Sequence, residues 1–260
     1  MKDHLWFDRE RELATLRDAA RSGTSLHISG PAGAGKSALV ERALMGLKPP
    51  SARRFLRVDA PAGLRDLLQK LVAELRAARD AALAAQLRSD GVRAADFTRW
   101  LRAQSSSRLK GALYRSADAA NLAVVVDHAP ALTAAEAKVL VELARMRATP
   151  VWFITRRSDG RAATLLKGIY WEPASRLSLG PLPAADAREL LEAGIRAYRL
   201  EQFELADFRS DALRLSGRLP GAILGLCRLA ADTRYHMGNR IKTRVAYVDL
   251  KTAGRWQRGR

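Results

Sequence analysis

Residues 30–37 of this chain read GPAGAGKS, which satisfies the pattern G-x-x-x-x-G-K-[ST]. Residues 26–29 before this segment predict a short strand, and residues 36–47 predict a helix that ends before two prolines. A segment of this pattern between a strand and a helix is typical of a phosphate-binding loop. The alternative is a glycine-rich turn without a ligand, which leaves the lysine and the hydroxyl side chain unexplained.

Each residue type in this loop has a chemical role. The glycines Gly30, Gly33 and Gly35 allow the backbone to turn its N–H groups inward around a β-phosphate, and the positive end of the next helix faces the anion. We expect the ammonium group of Lys36 to bridge the β- and γ-phosphates and the hydroxyl group of Ser37 to bind Mg²⁺. The loop therefore predicts a nucleoside triphosphate and Mg²⁺ as ligands.

A phosphate loop also needs an acidic residue that holds Mg²⁺ from the end of a neighbouring buried strand. Residues 122–126 predict such a strand, and Asp127 follows it directly. Many hydrolysing ATPases place a glutamate next to orient the attacking water, whereas this chain has His128. Three interpretations stay open: His128 orients the water, Asp59 at the end of the adjacent predicted strand does so, or hydrolysis is inefficient.

Polar residues also follow the predicted strand at residues 151–154. Thr155, Arg156 and Arg157 stand where a side chain reaches the γ-phosphate from a strand between the loop and Asp127. An arginine there can stabilise charge on the transferring phosphoryl group, in its own subunit or in a neighbouring one. Thr155 and Arg156 are therefore candidate catalytic residues, with a solvated polar strand end as the alternative.

Predicted strands and helices alternate through the first 199 residues. The predicted strands are residues 26–29, 55–59, 122–126, 151–154 and 176–179. Such alternation favours an α/β fold with a doubly wound, mostly parallel, five-stranded sheet. The predicted helices include residues 97–114, and after about residue 200 the pattern is helical only. We expect residues 1–199 to form a nucleotide-binding domain and residues 200–260 a helical lid with a basic C-terminal segment.

Charge and apolar patterning exclude several classes of protein. The longest strongly apolar stretch has five residues, far short of the ~20 that a membrane-spanning helix needs, and residues 1–6 lack the apolar core expected of a signal peptide. Cys227 is the single cysteine, which fits a reducing cytoplasm. The net charge is +18, and residues 228–260 carry +7. This C-terminal segment is either a contact for DNA phosphates or a solvated arginine-rich tail.

In order along the chain, these segments resemble the additional-strand P-loop ATPases, in particular the AAA+ and signal-transduction (STAND) branch. Residues 7–13 are similar to F-V-G-R-E-x-E-L, with Asp8 in place of glycine. The phosphate loop, Asp127 and residues 155–156, the last similar to a T-S-R sensor segment, follow in the expected order.

The resemblance continues to about residue 232. Residues 179–190 are similar to the stretch L-x-P-L-s-x-x-E-A-x-E-L that opens the helix before the lid. Residues 216–220 are similar to the lid motif G-G-x-P, with Arg218 in place of the second glycine.

This resemblance implies ATP and ADP as cofactors with Mg²⁺, and ATP hydrolysis of the EC 3.6 type. It implies a sheet order 5-1-4-3-2. Phe7, Arg9 and Pro220 would then lie near the adenine, and Ala38 would join the loop residues that contact the nucleotide. Ser37 and Asp127 would hold the metal.

Two functions follow from these expectations. The first is a nucleotide-controlled factor that assembles as a homo-oligomer on DNA and helps recombination, replication or defence. The second is a stand-alone regulatory switch with slow or no hydrolysis, whose ADP and ATP states bind a protein partner differently. His128 favours the second, because slow turnover suits a timer better than a motor. A small-molecule kinase is a weaker third possibility, against which the lid-like segment at residues 217–220 and the pair Thr155 and Arg156 argue.

Overall fold

The computed structural model describes residues 9–45, 53–128, 132–156, 164–170 and 172–256. These ranges contain seven strands and eleven α-helices. The strands are β1 (Leu26–Gly30), β2 (Arg54–Asp59), β3 (Leu122–Asp127), β4 (Val151–Arg156), β5 (Arg176–Ser178), β6 (His236–Met237) and β7 (Arg240–Ile241). The helices are α1 (Glu10–Ser22), α2 (Lys36–Met45), α3 (Leu64–Ala77), α4 (Ala81–Ser89), α5 (Phe97–Ala103), α6 (Ser106–Ala119), α7 (Ala134–Met146), α8 (Ala184–Ala197), α9 (Ala206–Ser216), α10 (Pro220–Ala230) and α11 (Thr243–Trp256).

The main sheet is parallel and has the order β2-β3-β4-β1-β5. Read from the opposite edge, this is the predicted order 5-1-4-3-2, so the predicted α/β fold is confirmed. The register places Asp59 beside Asp127 and Gly30 beside Arg156. Because all five strands run in the same direction, the residues that follow β1, β3 and β4 leave the sheet at one edge.

The described residues within 11–30 and 36–178 form one compact unit around this sheet. All six residues of β3 are buried, as expected for a parallel strand covered on both faces. Helix α3 buries a stripe of leucines against the same core, including Leu67 and Leu71. Thr133 and Glu136 form the predicted capping box at the start of α7, in which the threonine hydroxyl accepts the N–H of Glu136.

The prediction of one continuous helix over residues 97–114 is wrong. The structure has two helices there, and the backbone between them is extended at Gln104 and Ser105. The Ser105 hydroxyl accepts the N–H of Arg108 and so caps the second helix. Apolar residues recur at helical spacing on both sides of this break, so periodicity alone does not reveal it.

Among the described residues, 9–10, 31–35 and 179–256 form the other compact unit. Its apolar core contains Phe208, Ile223 and Leu226 together with Cys227. Burial raises the pKa of the Cys227 thiol to about 12, which makes it unreactive as a nucleophile. The expectation of helices only after residue 200 is wrong in one detail, because β6 and β7 pair as a short antiparallel hairpin.

The turn of this hairpin contains Gly238, whose φ of 60° lies in the left-handed region that favours glycine. In the described ranges, no helix combines the length and the apolar character that a bilayer crossing requires.

Candidate nucleotide site

The backbone of the predicted phosphate loop has the conformation that its glycines permit. Gly33 and Gly35 have φ values of 80° and 86°, in the left-handed region that side chains with a Cβ rarely adopt. A Cβ at Gly35 would meet no described atom within 4 Å, so the loop is open at this residue. Ala34 between the two glycines is buried, and its N–H donates to the carbonyl oxygen of Pro31 at 3.2 Å. The loop therefore forms a hydrogen-bonded turn that is open at Gly35.

The first turn of α2 carries three residues that we expect to contact a phosphate through a side chain or a backbone N–H group. Lys36, Ser37 and Ala38 are half-buried there. The Nζ atom of Lys36 donates a hydrogen bond of 2.9 Å to the carbonyl oxygen of Gly30, at the other end of the loop. The first N–H groups of a helix have no acceptor within the helix, and this turn contains no acidic residue. These donors fit an anionic ligand.

The predicted metal ligand Asp127 ends β3 and is only 1% exposed. Its Oδ1 atom accepts the N–H of His128 at 2.9 Å, and its Oδ2 atom accepts a hydrogen bond of 3.2 Å from Arg57. Arg57 is a residue that sequence reasoning missed. It stands two positions before Asp59 on β2, and side chains two apart lie on the same face of a strand, which is the signal that could have found it.

His128 has a backbone φ of 50°, which is uncommon for a residue other than glycine. Its Nδ1 atom lies 2.8 Å from Oδ1 of Asp59 and 3.3 Å from Oδ1 of Asp127. A carboxylate oxygen accepts hydrogen bonds, so this contact fits the tautomer of His128 that carries its proton on Nδ1, in which Nε2 is an acceptor. The two residues that the sequence offered as alternatives, His128 and Asp59, are therefore joined in one hydrogen-bonded pair.

The ligand atoms of Asp59, Asp127 and His128 lie within 4.8 Å of one another. Two carboxylate groups at one point of the sheet edge suit a hard cation such as Mg²⁺, which prefers oxygen ligands and retains several waters. The donor set around Asp127 thus fits the expected metal.

Thr155 lies near the end of β4, between β1 and β3 as predicted. The side chain is buried, and its Oγ1 atom lies 2.8 Å from Nε2 of His27 on β1. Burial, followed by the nearby charge of Arg176, lowers the pKa of His27. His27 was not a predicted site residue, although it stands on the strand that leads into the phosphate loop. Arg156 is half-buried in register with Gly30, and Arg157 lies outside the described residues.

The residues expected near the adenine are partly described. Phe7 and Asp8 lie outside the described residues. Arg9 is buried, and its guanidinium donates a hydrogen bond of 2.6 Å to the carbonyl oxygen of Gly180. Pro220 is the first residue of α10, a position at which proline lacks only an N–H that the helix would not use. Their contact with adenine stays a prediction.

Comparison with known proteins gives a family and a fold. Residues 5–154 match the model of a family described as AAA ATPase domain. No curated protein matches the chain significantly.

The fold of this chain is similar to that of solved structures, among them the following three. The Orc1 protein of Aeropyrum pernix in complex with DNA has a TM-score of 0.60 and 16% identity, with 96% of this chain and 68% of that chain covered. Cdc6p from Pyrobaculum aerophilum has a TM-score of 0.54 and 11% identity, with 86% and 61% covered. The Aeropyrum pernix Orc2 protein in its ADP form has a TM-score of 0.54 and 17% identity, with 92% and 67% covered. This chain therefore spans about two thirds of the length of these structures.

Proposed function

We propose, from the premise that this chain belongs to the AAA ATPase domain family, that it binds ATP and ADP with Mg²⁺ and hydrolyses ATP. The observation that carries the proposal is that β1, which leads into the phosphate loop, and β3, which ends at the buried Asp127, belong to the same parallel sheet. The family match supports nucleotide binding, and hydrolysis goes beyond it.

In the proposed mechanism, Lys36 and the N–H groups at the start of α2 hold the β- and γ-phosphate oxygens. Ser37 and Asp127 would hold Mg²⁺, which neutralises phosphate charge when bound. Asp127 is held in place by hydrogen bonds from Arg57 and from the backbone N–H of His128.

His128 would orient the attacking water through Nε2. Asp59 holds the opposite nitrogen at 2.8 Å and so fixes the ring. Thr155 and Arg156, at the end of the intervening strand, would contact the γ-phosphate side of the site. The water-positioning role is thus assigned to a pair of residues instead of a single glutamate.

The variant Lys36→Ala tests nucleotide binding. The lysine faces the loop, so we expect loss of binding to a fluorescent ATP analogue with an unchanged circular dichroism spectrum. Lys138→Ala, at an exposed position of α7, is the matched control and should bind normally. Normal binding by the Lys36 variant would refute the assignment of the loop.

The variant Asp127→Asn tests the metal assignment, since it keeps the shape of the side chain and removes its charge. We expect nucleotide affinity to become equal with Mg²⁺ and with EDTA, whereas the unaltered protein should bind more tightly with Mg²⁺. A persistent Mg²⁺ effect in a folded variant would overturn the role of Asp127.

We further propose that the protein is a nucleotide-controlled assembly factor that acts on DNA in the cytoplasm, as a helper of recombination, replication or defence. The charge of +18 supports a polyanionic partner. Among the solved relatives in fold, one was captured with DNA. The test is ATP turnover with and without DNA, together with mass in solution with each nucleotide. Stimulation and ATP-dependent assembly support this function, and binding that is absent at low salt refutes it.

His128 supports a second candidate, a regulatory switch with slow or no hydrolysis that binds a protein partner. Many hydrolysing ATPases carry a glutamate at this position. His128 instead has a left-handed backbone, and its ring is hydrogen-bonded to Asp59. This candidate predicts a partner that is recovered with ATP but not with ADP after nuclease treatment. Recovery that is independent of nucleotide would exclude it.

A further inference from the structure

A groove of about 450 Å³ lies between α8 and α9 in the unit that contains residues 179–256. Three of the residues that line it are arginines: Arg188 on α8, Arg214 on α9 and Arg218 in the turn before α10. Ser210 adds an exposed hydroxyl group, and no lining residue is acidic. All three arginines are exposed. The groove therefore gathers positive charge at the surface.

This charge is largely unneutralised by the described part of the chain. Arg188 and Arg218 form no ion pair with a described carboxylate, whereas Arg209, Arg234 and Arg240 of the same unit each do. Concentrated positive charge without a carboxylate partner fits an anionic ligand.

Arg214 is the third arginine, and its carboxylate partner is shared. Asp211 lies 2.5 Å from Arg214 and 3.5 Å from Arg244. One acidic side chain thus serves two arginines at this side of the groove, which leaves an excess of positive charge there as well.

The turn that carries Arg218 is held rigidly. Gly217 and Arg218 both adopt left-handed φ values, of 58° and 60°. The Arg218 N–H donates to the hydroxyl of Ser216 at 3.2 Å, and its carbonyl oxygen accepts the N–H of Leu182 at 3.0 Å. Because both backbone groups are bonded, the point at which the Arg218 side chain leaves the backbone is fixed.

We propose that this groove binds the phosphate backbone of DNA. Guanidinium groups form paired hydrogen bonds with phosphate oxygens, and three of them on two helices and a turn can contact successive phosphates. The lining contains no aromatic residue on which a base could stack, so the contacts that we propose are to the phosphate backbone, which carries no sequence information. The inference rests on the proposed action on DNA and deepens it, because it moves the principal contact from residues 228–260 to the groove.

The test is fluorescence anisotropy with labelled duplex and single-stranded DNA at several salt concentrations. The groove variant carries Arg188→Gln, Arg214→Gln and Arg218→Gln. The control variant removes the same charge from the same unit through Arg209→Gln, Arg234→Gln and Arg240→Gln. We expect the groove variant to lose about tenfold or more in affinity, with a salt slope smaller by up to about 3, and the control to change by less than about threefold.

A second variant with lysine at the three groove positions keeps the charge and should retain the salt slope with weaker binding. Thermal unfolding of each variant checks that it is folded. Equal losses in the groove and control variants, or no loss in the groove variant, overturn this inference while the proposed action on DNA stands. If polyglutamate displaces the labelled DNA as strongly as unlabelled DNA of equal charge does, the proposal that the groove takes DNA is overturned. Unaltered protein that does not bind DNA refutes the proposed action itself.

Discussion

The backbone N–H of Gly221 donates a hydrogen bond of 2.9 Å to the carbonyl oxygen of Gly33. Gly33 belongs to the phosphate loop and Gly221 to the first turn of α10, and both lie in the same compact unit. A Cβ at Gly221 would lie 3.0 Å from the Cα atom of Gly33 and 3.2 Å from its carbonyl oxygen. The loop and the helix therefore touch backbone to backbone, which requires glycine at position 221.

We predict that Gly221→Ala weakens nucleotide binding by about three- to tenfold, because the added methyl group must displace the loop from the conformation seen here, and a loss of about 1 kcal/mol corresponds to such a factor. Isothermal titration with ADP and with ATP measures the effect. Gly180→Ala is the control, since a Cβ there meets no described atom within 4 Å. Equal affinities for both variants would show that the Gly33 contact does not govern the loop.

We predict that His128 and Asp59 act as a unit in ATP turnover. His128→Asn, chosen because asparagine tolerates a left-handed backbone, and Asp59→Asn should each lower the rate by about ten- to a hundredfold. The double variant should be no slower than the slower single variant, because the 2.8 Å hydrogen bond couples the two side chains in one function. Steady-state ATP turnover of the unaltered protein, the two single variants and the double variant gives a double-mutant cycle. A double variant whose rate loss equals the product of the two single losses would contradict this prediction.

We predict that Thr133→Ala lowers the free energy of unfolding by about 1–2 kcal/mol, because the start of α7 loses its cap and buried Glu136 loses a donor. Chemical denaturation at neutral pH measures this change. Thr15→Ala, at an exposed position of α1, should change it by less than about 0.5 kcal/mol. Similar effects of both substitutions would argue against the capping box as a source of stability.

We predict that stability falls as the pH drops below about 6.5, in part through His27. Burial, with a contribution from Arg176, lowers the pKa of this ring in the folded protein, so the unfolded chain binds a proton first. The contribution of neutral His27 to stability is fully present above the pKa of the unfolded chain and is lost as the pH falls through the lower pKa of the folded protein. His27→Gln should flatten the pH profile of the thermal midpoint between pH 7 and 5, and parallel profiles would exclude His27 as a cause.

Local sequence patterns predicted the five parallel strands, the loop at residues 30–37 and the capping box of α7, whereas the order of the strands followed from the family resemblance. Each depends on residues close together in the chain: apolar runs, glycines with left-handed φ values, or a side chain that caps its own helix. The same local reasoning failed at Ser105, because apolar spacing continues across the break that this residue caps, and at the hairpin of β6 and β7.

The partners within the candidate site arise over long distances in the chain. Arg57 meets Asp127 across 70 positions, and Asp59 meets His128 across 69. Both pairs depend on the register of two parallel strands, and the second depends also on the left-handed turn at His128. The amino-acid order thus specified which groups the protein possesses for binding phosphate, since that motif is contiguous. Folding alone decided which side chains those groups contact, because strand register and backbone handedness are properties of the packed sheet and not of any short segment.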